Sequence, residues 1–218
     1  MTPPFASPIH EYHHQIRTGQ AVVGRWIRLL YDKVAADLTA GRCRYDAEAA
    51  NRAIEFIETF CHHSEGRTDL LRLELWQKAI LCLIFGILDE DGNRLYREVV
   101  IIIGRKNGKS LFASAIVAYM AYLDGEYGAK IYCLAPKLEQ AEKVYDGFYQ
   151  MLQMEPELAE LAKKRRTDIY IEETNTSVKP IAFNAKKSDG YNPHLVVNDE
   201  IAAWPAEQGL KQYEVMKS

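Results

Sequence analysis

The tripeptide Gly108-Lys109-Ser110 carries the groups that together bind a phosphate chain. Backbone N–H groups at the start of a helix bind phosphate oxygens, a lysine adds positive charge, and a serine hydroxyl holds Mg²⁺. The tripeptide ends the stretch VVIIIGRKNGKS at 99–110, and the next residues, LFASAIVAYMAYL, predict a helix. The β-branched run Val99–Ile103 predicts a strand buried on both faces. Strand, short loop and helix in this order are typical of a P-loop nucleotide site.

The loop departs from the full P-loop pattern, G-x-x-x-x-G-K-[ST]. Counting back from Gly108 places Ile103 where the first glycine is usual, and Gly104 follows one residue later. We predict that Lys109 reaches the β- and γ-phosphates of ATP and takes part in catalysis, and that Ser110 ligates Mg²⁺. The residues predicted to bind ATP in this loop are Gly104, Arg105, Lys106, Asn107, Gly108, Lys109 and Ser110.

An acidic pair follows a second apolar segment. Leu195–Val197 predicts a buried strand, and Asp199 and Glu200 stand at its carboxyl end. Successive residues at a strand end point in different directions, so one carboxylate can hold Mg²⁺ while the other polarises a water. We therefore assign Asp199 to the metal and Glu200 to catalysis, as in a Walker B motif. In an α/β sheet, ligands bind at the carboxyl ends of strands, where both motifs fall.

Several other residues have two interpretations each. Arg105 suits an arginine finger that stabilises the γ-phosphate in the transition state, or a solvated arginine; Lys106 is a weaker candidate for that task. Trp76 and Gln77 suit stacking on and hydrogen bonding to a base, or packing within a helix. Lys137, after a predicted strand, suits contact with a nucleic-acid backbone or a loop cap. A run of four basic residues favours a solvated face, with contact to DNA phosphates as the alternative. The run consists of Lys163, Lys164, Arg165 and Arg166.

Composition sets the outer limits. With 218 residues, 48% of them hydrophobic, and a net charge of −3, the chain suits one large α/β domain, or one with a smaller appendage, without an overall basic field. The four cysteines lack a C-x-x-C pair, which indicates reduced thiols rather than zinc ligands. The sequence has no signal-peptide pattern and no apolar run of about 18 residues, so we expect no membrane contact. His10, His13 and His14 are expected to be solvated rather than to bind metal.

The remaining pattern alternates strands with helices, which predicts an α/β fold with a mostly parallel sheet and helices on both faces. Residues 1–20 are predicted to form an irregular arm, 185–193 a polar loop, and Arg94–Tyr96 the start of a hairpin. The predicted helices are 21–40 with a stop at Gly41, 46–61 with Asp46 as N-cap, 70–88, 138–152 and 156–164. The predicted further strands are 129–135, 168–171 and 179–183, the last two paired with each other.

Four motifs, in this order, resemble those of the large terminase subunit of tailed bacteriophages, in its HK97-type branch. They are Trp76-Gln77, Arg-Lys-Asn-Gly-Lys-Ser at 105–110, Ala-Pro-Lys-x-x-Gln-Ala at 135–141 and Asp-Gly-Tyr-Asn-Pro-His-Leu-Val-Val-Asn-Asp-Glu at 189–200. The likeness runs from about residue 70 to 205. It implies an ATPase motor that uses ATP and Mg²⁺ to drive double-stranded DNA into a procapsid. It also implies a P-loop NTPase core of the additional-strand, conserved-glutamate type, preceded by a helical region.

The resemblance also implies roles and partners. Terminase P-loops often lack the first glycine and carry an arginine near the start of the loop, here Arg105. Trp76-Gln77 is similar to the family's adenine motif. Asp199 and Glu200 are similar to its Walker B pair. The implied partners are viral DNA, the portal protein, the small terminase subunit and further copies of the chain in a ring on the portal, in the cytoplasm of the bacterial host. We expect an arm and helical region at 1–69, packed on a core at 70–218.

One departure from the family lies after the acidic pair. Members are considerably longer, and neither the coupling motif nor the nuclease domain that follows Walker B in them occurs before Ser218. We therefore expect an ATPase core without nuclease and with impaired or absent ATP turnover, and the resemblance leaves open whether its sheet is complete. Two alternatives remain: a superfamily-2-like helicase or translocase fragment, and a non-hydrolysing nucleotide-binding assembly module.

Overall fold

The computed structural model of the chain describes residues 7–64, 66–182 and 192–217. The chain forms two compact units. Unit 1 comprises Met1–Glu58 and Arg72–Ile102, and unit 2 comprises Thr59–Leu71 and Ile103–Ser218. Within the described ranges, no helix has both the length and the apolar character that crossing a membrane requires.

Unit 1 is mostly helical. Its helices are α1 (Pro8–Thr18), α2 (Arg25–Thr39), α3 (Ala47–Phe60, whose last two residues fall in unit 2) and α4 (Leu75–Leu81), and its short strands are β1 (Arg44–Tyr45) and β2 (Ile87–Leu88). The two strands pair antiparallel. The predicted start of α3 and the predicted stop after α2 are confirmed. Asp46 Oδ1 accepts the N–H of Ala49 at 2.9 Å as the N-cap of α3, and Gly41 follows α2 with a φ of 69°.

The predicted irregular arm at 1–20 is wrong over its described part, because Pro8–Thr18 form helix α1. Proline at the first helical position has a φ already suited to a helix. Ile9 and Ile16 are buried, and their spacing of seven residues places them on one helical face. The polar residues between these two isoleucines concealed that face in the sequence.

The predicted helix 70–88 is much shorter, and within α4 only Ala79 and Leu81 are fully buried. Leu75–Leu81 form α4, a π-helical turn follows at Cys82–Gly86, and the chain then enters β2. The start is fixed by a capping box between Glu74 and Gln77. Close packing fixes the end of the π-helical turn, since a Cβ at Gly86 would lie 2.7 Å from the ring of Tyr45. The predicted hairpin reduces to a bridge between Leu88 and Arg94 and leads into no strand.

The predicted strand Val99–Ile103 is also wrong. These residues form no strand, and Val100 and Ile102 are 73% and 91% exposed. A β-branched run predicts burial on both faces only if strands flank it, because an extended segment must pair its backbone groups with neighbours. In the described residues, the strand order of the larger sheet contains no position occupied by this run.

Unit 2 contains a five-stranded sheet with the strand order β4-β5-β6-β3-β7. The strands are β3 (Lys130–Ala135), β4 (Ala162–Lys164), β5 (Ile169–Ile171), β6 (Thr176–Ala182) and β7 (Leu195–Asn198). β3 pairs in parallel with β6 and β7, whereas β4, β5 and β6 pair antiparallel. The sheet is thus mixed, and its parallel part is the part that carries the acidic pair. The predicted pairing of the two hairpin strands is confirmed; Phe183 and residues 185–191 lie outside the described residues.

Helices pack on the sheet, which confirms the α/β class. They are α5 (Lys109–Tyr122), α6 (Leu138–Met154), α7 (Pro156–Leu161) and α8 (Ala206–Lys217). Tyr132 and Leu134 of β3 point to one face, where Met216 and Trp204 pack against them. α5 and α6 also pack against strands of the sheet. The predicted helix 156–164 ends at Leu161, because the next three residues form the edge strand β4.

His10 and His13 hydrogen-bond with nearby side chains, and the four cysteines are buried. His10 Nδ1 hydrogen-bonds with Ser7 Oγ at 2.7 Å, and His13 Nε2 with Asp32 Oδ1 at 2.9 Å. Cys43, Cys61, Cys82 and Cys133 are free thiols, and all four are buried. Within residues 7–64, 66–182 and 192–217, no three His, Cys, Asp or Glu side chains form a group that could hold a metal ion.

Candidate nucleotide site

The loop before α5 has the backbone shape that a phosphate loop needs. Helix α5 begins at Lys109, and Gly108 precedes it with a φ of 71°, a value that glycine adopts at no steric cost. Lys106 also has a positive φ, of 63°. The Asn107 side chain donates from Nδ2 to the carbonyl oxygens of Gly104 and Arg105, both at 3.2 Å. Asn107 therefore closes the loop on itself, a contribution distinct from the ATP contact predicted for it.

Asp199 brings the two predicted motifs together. Its Oδ1 lies 3.4 Å from Lys109 Nζ, and its Oδ2 accepts a hydrogen bond from Ser110 Oγ at 3.5 Å. Ser110 and Asp199 stand 89 residues apart in sequence and meet because α5 begins at the edge of the sheet where β7 ends. The Asp199 side chain is 13% exposed, so its charge lies close to Lys109 in a partly desolvated place.

These side chains suit a divalent cation bound with phosphate. Mg²⁺ prefers oxygen ligands and is usually held by one or two protein oxygens plus substrate phosphates and waters. Ser110 Oγ and Asp199 Oδ2 are two such oxygens, 3.5 Å apart. Lys109 supplies the charge that a triphosphate needs next to them. The donor set therefore fits a Mg·nucleoside triphosphate complex, with no need for a second protein carboxylate.

Backbone contacts fix Asp199 where it stands. Its N–H donates to the Leu134 carbonyl oxygen at 3.0 Å, which extends the β3–β7 ladder by one residue past β7. Its own carbonyl oxygen accepts the indole N–H of Trp204 at 3.1 Å. Burial, together with the nearby charge of Asp199, raises the pKa of the Cys133 thiol to about 12. The carboxylate thus stands on a rigid strand end above a neutral thiol.

The carboxylate of Glu200 contacts helix α6. Gln140 Nε2 donates to Oε2 at 2.8 Å, and Lys143 Nζ lies 4.0 Å from Oε1. The backbone of Glu200 is left-handed, with φ 52° and ψ 40°, and its N–H donates to Asp199 Oδ1 at 2.8 Å. The two neighbouring carboxylates therefore address different partners, as the alternation at a strand end predicts.

The other candidates lie in varied surroundings. Arg105 is exposed in the loop, and Lys137 is exposed at the N-cap of α6. Trp76 and Gln77 lie in unit 1, on α4. Gln77 Oε1 accepts the backbone N–H of Glu74 at 2.8 Å, so part of its amide serves the helix start.

Most of the basic run is paired within unit 2. Lys163 forms an ion pair with Glu172, and Arg165 forms one with Asp168. The Lys164 ammonium lies 3.8 Å from the centroid of the Tyr149 ring. A charge that is already compensated by a carboxylate or a ring attracts DNA phosphates less, so these contacts favour the solvated-face interpretation.

Three contacts at the site involve residues that sequence reasoning did not single out by role. Gln140 and Lys143 contact Glu200, and Trp204 holds the Asp199 backbone. Gln140 belongs to the motif at 135–141, but that motif assigned it no role. Its contact with Glu200 could not be predicted, because the two residues are 60 positions apart in sequence. The sequence indicates only that Lys143 shares a predicted helix face with Gln140, because it lies three residues later.

A loop before a helix, with a lysine and a serine facing an aspartate at the end of a neighbouring parallel strand, defines the class of P-loop nucleotide-binding proteins. The family model of the terminase large subunit, ATPase domain, matches residues 75–216. The chain therefore belongs to the family of terminase large-subunit ATPase domains, as the motif resemblance implied.

Individual relatives agree with this family. The chain is 27% identical over 157 residues to the terminase, large subunit, of Enterobacteria phage HK97, covering 68% of this chain and 30% of that protein. It is 24% identical over 190 residues to the terminase large subunit of Lactococcus phage p2, covering 83% of this chain and 35% of that protein. The crystal structure of the HK97 bacteriophage large terminase matches with a TM-score of 0.61 and 25% identity, over 71% of this chain and 31% of that chain. The chain thus spans about a third of the length of these relatives.

Proposed function

We propose that this chain binds Mg·ATP and is the ATPase part of a motor that packages double-stranded viral DNA into procapsids. The observation that carries the proposal is the meeting of Lys109, Ser110 and Asp199 at one sheet edge. Family membership supports the ATPase assignment, because the matching model is that of an ATPase domain. The relatives are terminase large subunits of phages, which supports a role in packaging.

Each side chain has a task in this proposal. Lys109 binds the β- and γ-phosphates, and Ser110 and Asp199 hold the metal, which neutralises phosphate charge when bound. Glu200 accepts a proton from the attacking water, and Arg105 stabilises charge on the γ-phosphate. Because Asp199 stands on a strand end and Glu200 turns toward α6, metal binding and water activation are served by separate carboxylates. The adenine roles of Trp76 and Gln77 stay predictions.

The packaging role implies partners as well. In the proposal these are viral DNA, the portal protein, the small terminase subunit and further copies of the chain in a ring, in the cytoplasm of the infected bacterium. A helical region at 1–69 and a core at 70–218 remain the proposed organisation. We propose low turnover by this chain in isolation, because it spans only about a third of the length of the terminase large subunits that it matches.

The test separates binding from hydrolysis. Isothermal titration with a non-hydrolysable ATP analogue and Mg²⁺ is compared among the wild type, Lys109→Ala, Glu200→Gln and the control Lys211→Ala, an exposed lysine of α8. We expect Lys109→Ala to lose at least about tenfold in affinity, the worth of one charge-assisted contact, and the other two variants to bind as the wild type does.

Two outcomes would count against the assignment. Equal loss of binding in Lys109→Ala and Glu200→Gln would contradict the division of roles. Steady-state phosphate release then tests the expected low turnover: brisk release that depends on Lys109 would overturn that expectation. Binding without any release, even in a full-length chain with DNA and portal, would favour the non-hydrolysing assembly module instead.

A further inference from the structure

Helix α6 presents two groups to the carboxylate of Glu200. Gln140 Nε2 donates a hydrogen bond to Oε2 at 2.8 Å, and Lys143 Nζ lies 4.0 Å from Oε1. Residues three apart on a helix share a face, so the amide and the ammonium approach the carboxylate from the same side. The much shorter contact is that of Gln140, which makes it the main determinant of where the carboxylate points.

The amide of Gln140 is poorly suited to a purely structural role. Its Oε1 is buried, and no hydrogen-bond partner for it exists among the described residues. A buried carbonyl without a partner costs stability, whereas a methionine of the same length would fill the space without that cost. A glutamine here is therefore unfavourable for packing, and its one hydrogen bond, to Glu200, is what distinguishes it from an apolar residue.

The backbone of Glu200 is fixed, so only the torsion angles of its side chain can still vary. Its left-handed φ and ψ, and its N–H bond to Asp199, fix the direction in which the side chain leaves the chain. A carboxylate that acts as a general base accepts the proton on one oxygen, so a hydrogen bond to the other oxygen sets the carboxylate plane without blocking the reaction. Gln140 supplies such a bond to Oε2.

We propose that Gln140 is a positioning residue that orients the Glu200 carboxylate for the attacking water. The inference rests on the proposed function, in which Glu200 is the general base. In this proposal Gln140 acts only through Glu200, so it affects the transition state and leaves ground-state binding of ATP unchanged. Replacement by methionine then separates function from packing, because it removes the donor and also the unpaired carbonyl.

The test compares Gln140→Met with Gln150→Met, a matched change at an exposed glutamine of the same helix. Calorimetry measures affinity for Mg·ADP with aluminium fluoride, which mimics the transferring phosphoryl group, and for a non-hydrolysable ATP analogue. We expect Gln140→Met to bind the mimic about tenfold more weakly, as for the loss of one hydrogen bond to a charged group, and to bind the ATP analogue unchanged. Its melting temperature is expected not to fall, and Gln150→Met should match the wild type.

The outcomes distinguish the inference from the function on which it rests. Wild-type affinity of Gln140→Met for the mimic, or an equal loss for both ligands, overturns the positioning role. A lower melting temperature for Gln140→Met, with affinities unchanged, assigns the residue to packing and also overturns it. A wild-type chain that binds neither ligand refutes the proposed nucleotide site, and with it the inference.

Discussion

Replacing Gly147 by alanine tests how closely α5 and α6 pack. A Cβ built at Gly147 would lie 2.6 Å from Ser114 Oγ, shorter than real Cβ contacts allow. Ser114 is 1% exposed, and its hydroxyl, which has one proton to donate, lies 2.9 Å from the carbonyl oxygen of Ser110 and 2.8 Å from that of Val144. The contact matters for function because α5 begins with Lys109 and Ser110 while α6 carries the residues that hold Glu200.

Opposing terms decide the sign of the effect. In an open helix, glycine to alanine stabilises by about 1 kcal/mol. Here the methyl group forces Ser114 to rotate, which loses about 1 kcal/mol of hydrogen bonding, or forces the helices apart, and overpacking of this kind costs roughly 1–3 kcal/mol. We therefore expect Gly147→Ala to destabilise unit 2 by up to about 2 kcal/mol.

The double variant supplies the control. Ser114→Ala alone should cost about 1 kcal/mol, for its hydrogen bonds. With the hydroxyl gone, the nearest atom to the new methyl is the Ser114 Cβ at 3.4 Å, an ordinary contact, so Gly147→Ala should then stabilise by its usual ~1 kcal/mol. The double variant should lie near the wild type, with a coupling of about 1–3 kcal/mol.

The assay is urea denaturation of unit 2. Trp204 fluorescence reports on this unit, because the indole packs on β3, in a background where Trp26 and Trp76 are replaced by phenylalanine. The two-state slope must stay constant across the four proteins for the free energies to be compared. A Gly147→Ala protein that is stabilised by about 1 kcal/mol, with Ser114 present, would refute the close packing of α5 on α6.

Three further predictions concern other parts of the chain. Burial raises the pKa of Cys61 and Cys133 to about 12, so both thiols should resist a thiol reagent at pH 8 until urea unfolds the chain; fast native reaction would contradict their burial. Gly86→Ala should lower the melting temperature of unit 1, because the added Cβ would lie 2.7 Å from the Tyr45 ring; an unchanged melting temperature would contradict this contact. Hydrogen bonds from the two cations beside Asp37 lower the pKa of its carboxyl, so its contribution to stability is complete above the unfolded pKa of about 3.9 and disappears as the pH falls through the lower folded pKa. The wild type should therefore lose stability more steeply than Asp37→Asn below about pH 4, and parallel pH profiles would contradict this.

Local patterns predicted the parts of the site that depend on neighbours in sequence. The loop that ends in Gly108 and the helix that follows it are both signalled by a few adjacent residues, and so is the acidic pair after β7. The N-cap at Asp46 is local in the same way, since the N–H that it accepts belongs to Ala49, three residues later. Where the physical cause lies within one turn or one strand, the sequence is sufficient.

Features that depend on distant partners were not predictable in this way. Val99–Ile103 has the composition of a buried strand, but a strand forms only beside another, and no sequence pattern shows which strand is next to it. The bond from Gln140 to Glu200 joins residues 60 positions apart and depends on how α6 packs on the sheet. The face of α1 was concealed because only Ile9 and Ile16 mark it.

The central claim is that Lys109, Ser110 and Asp199 form a Mg·triphosphate site, and the dependence of ATP affinity on Mg²⁺ tests it most directly. Affinity for a fluorescent, non-hydrolysable ATP analogue is measured with Mg²⁺ and with chelator, for the wild type, Lys109→Ala and Asp199→Asn. We predict that the wild type binds more tightly with Mg²⁺, that Asp199→Asn loses this difference, and that Lys109→Ala binds weakly in both conditions. Equal affinities for all three proteins, with and without Mg²⁺, would contradict the site.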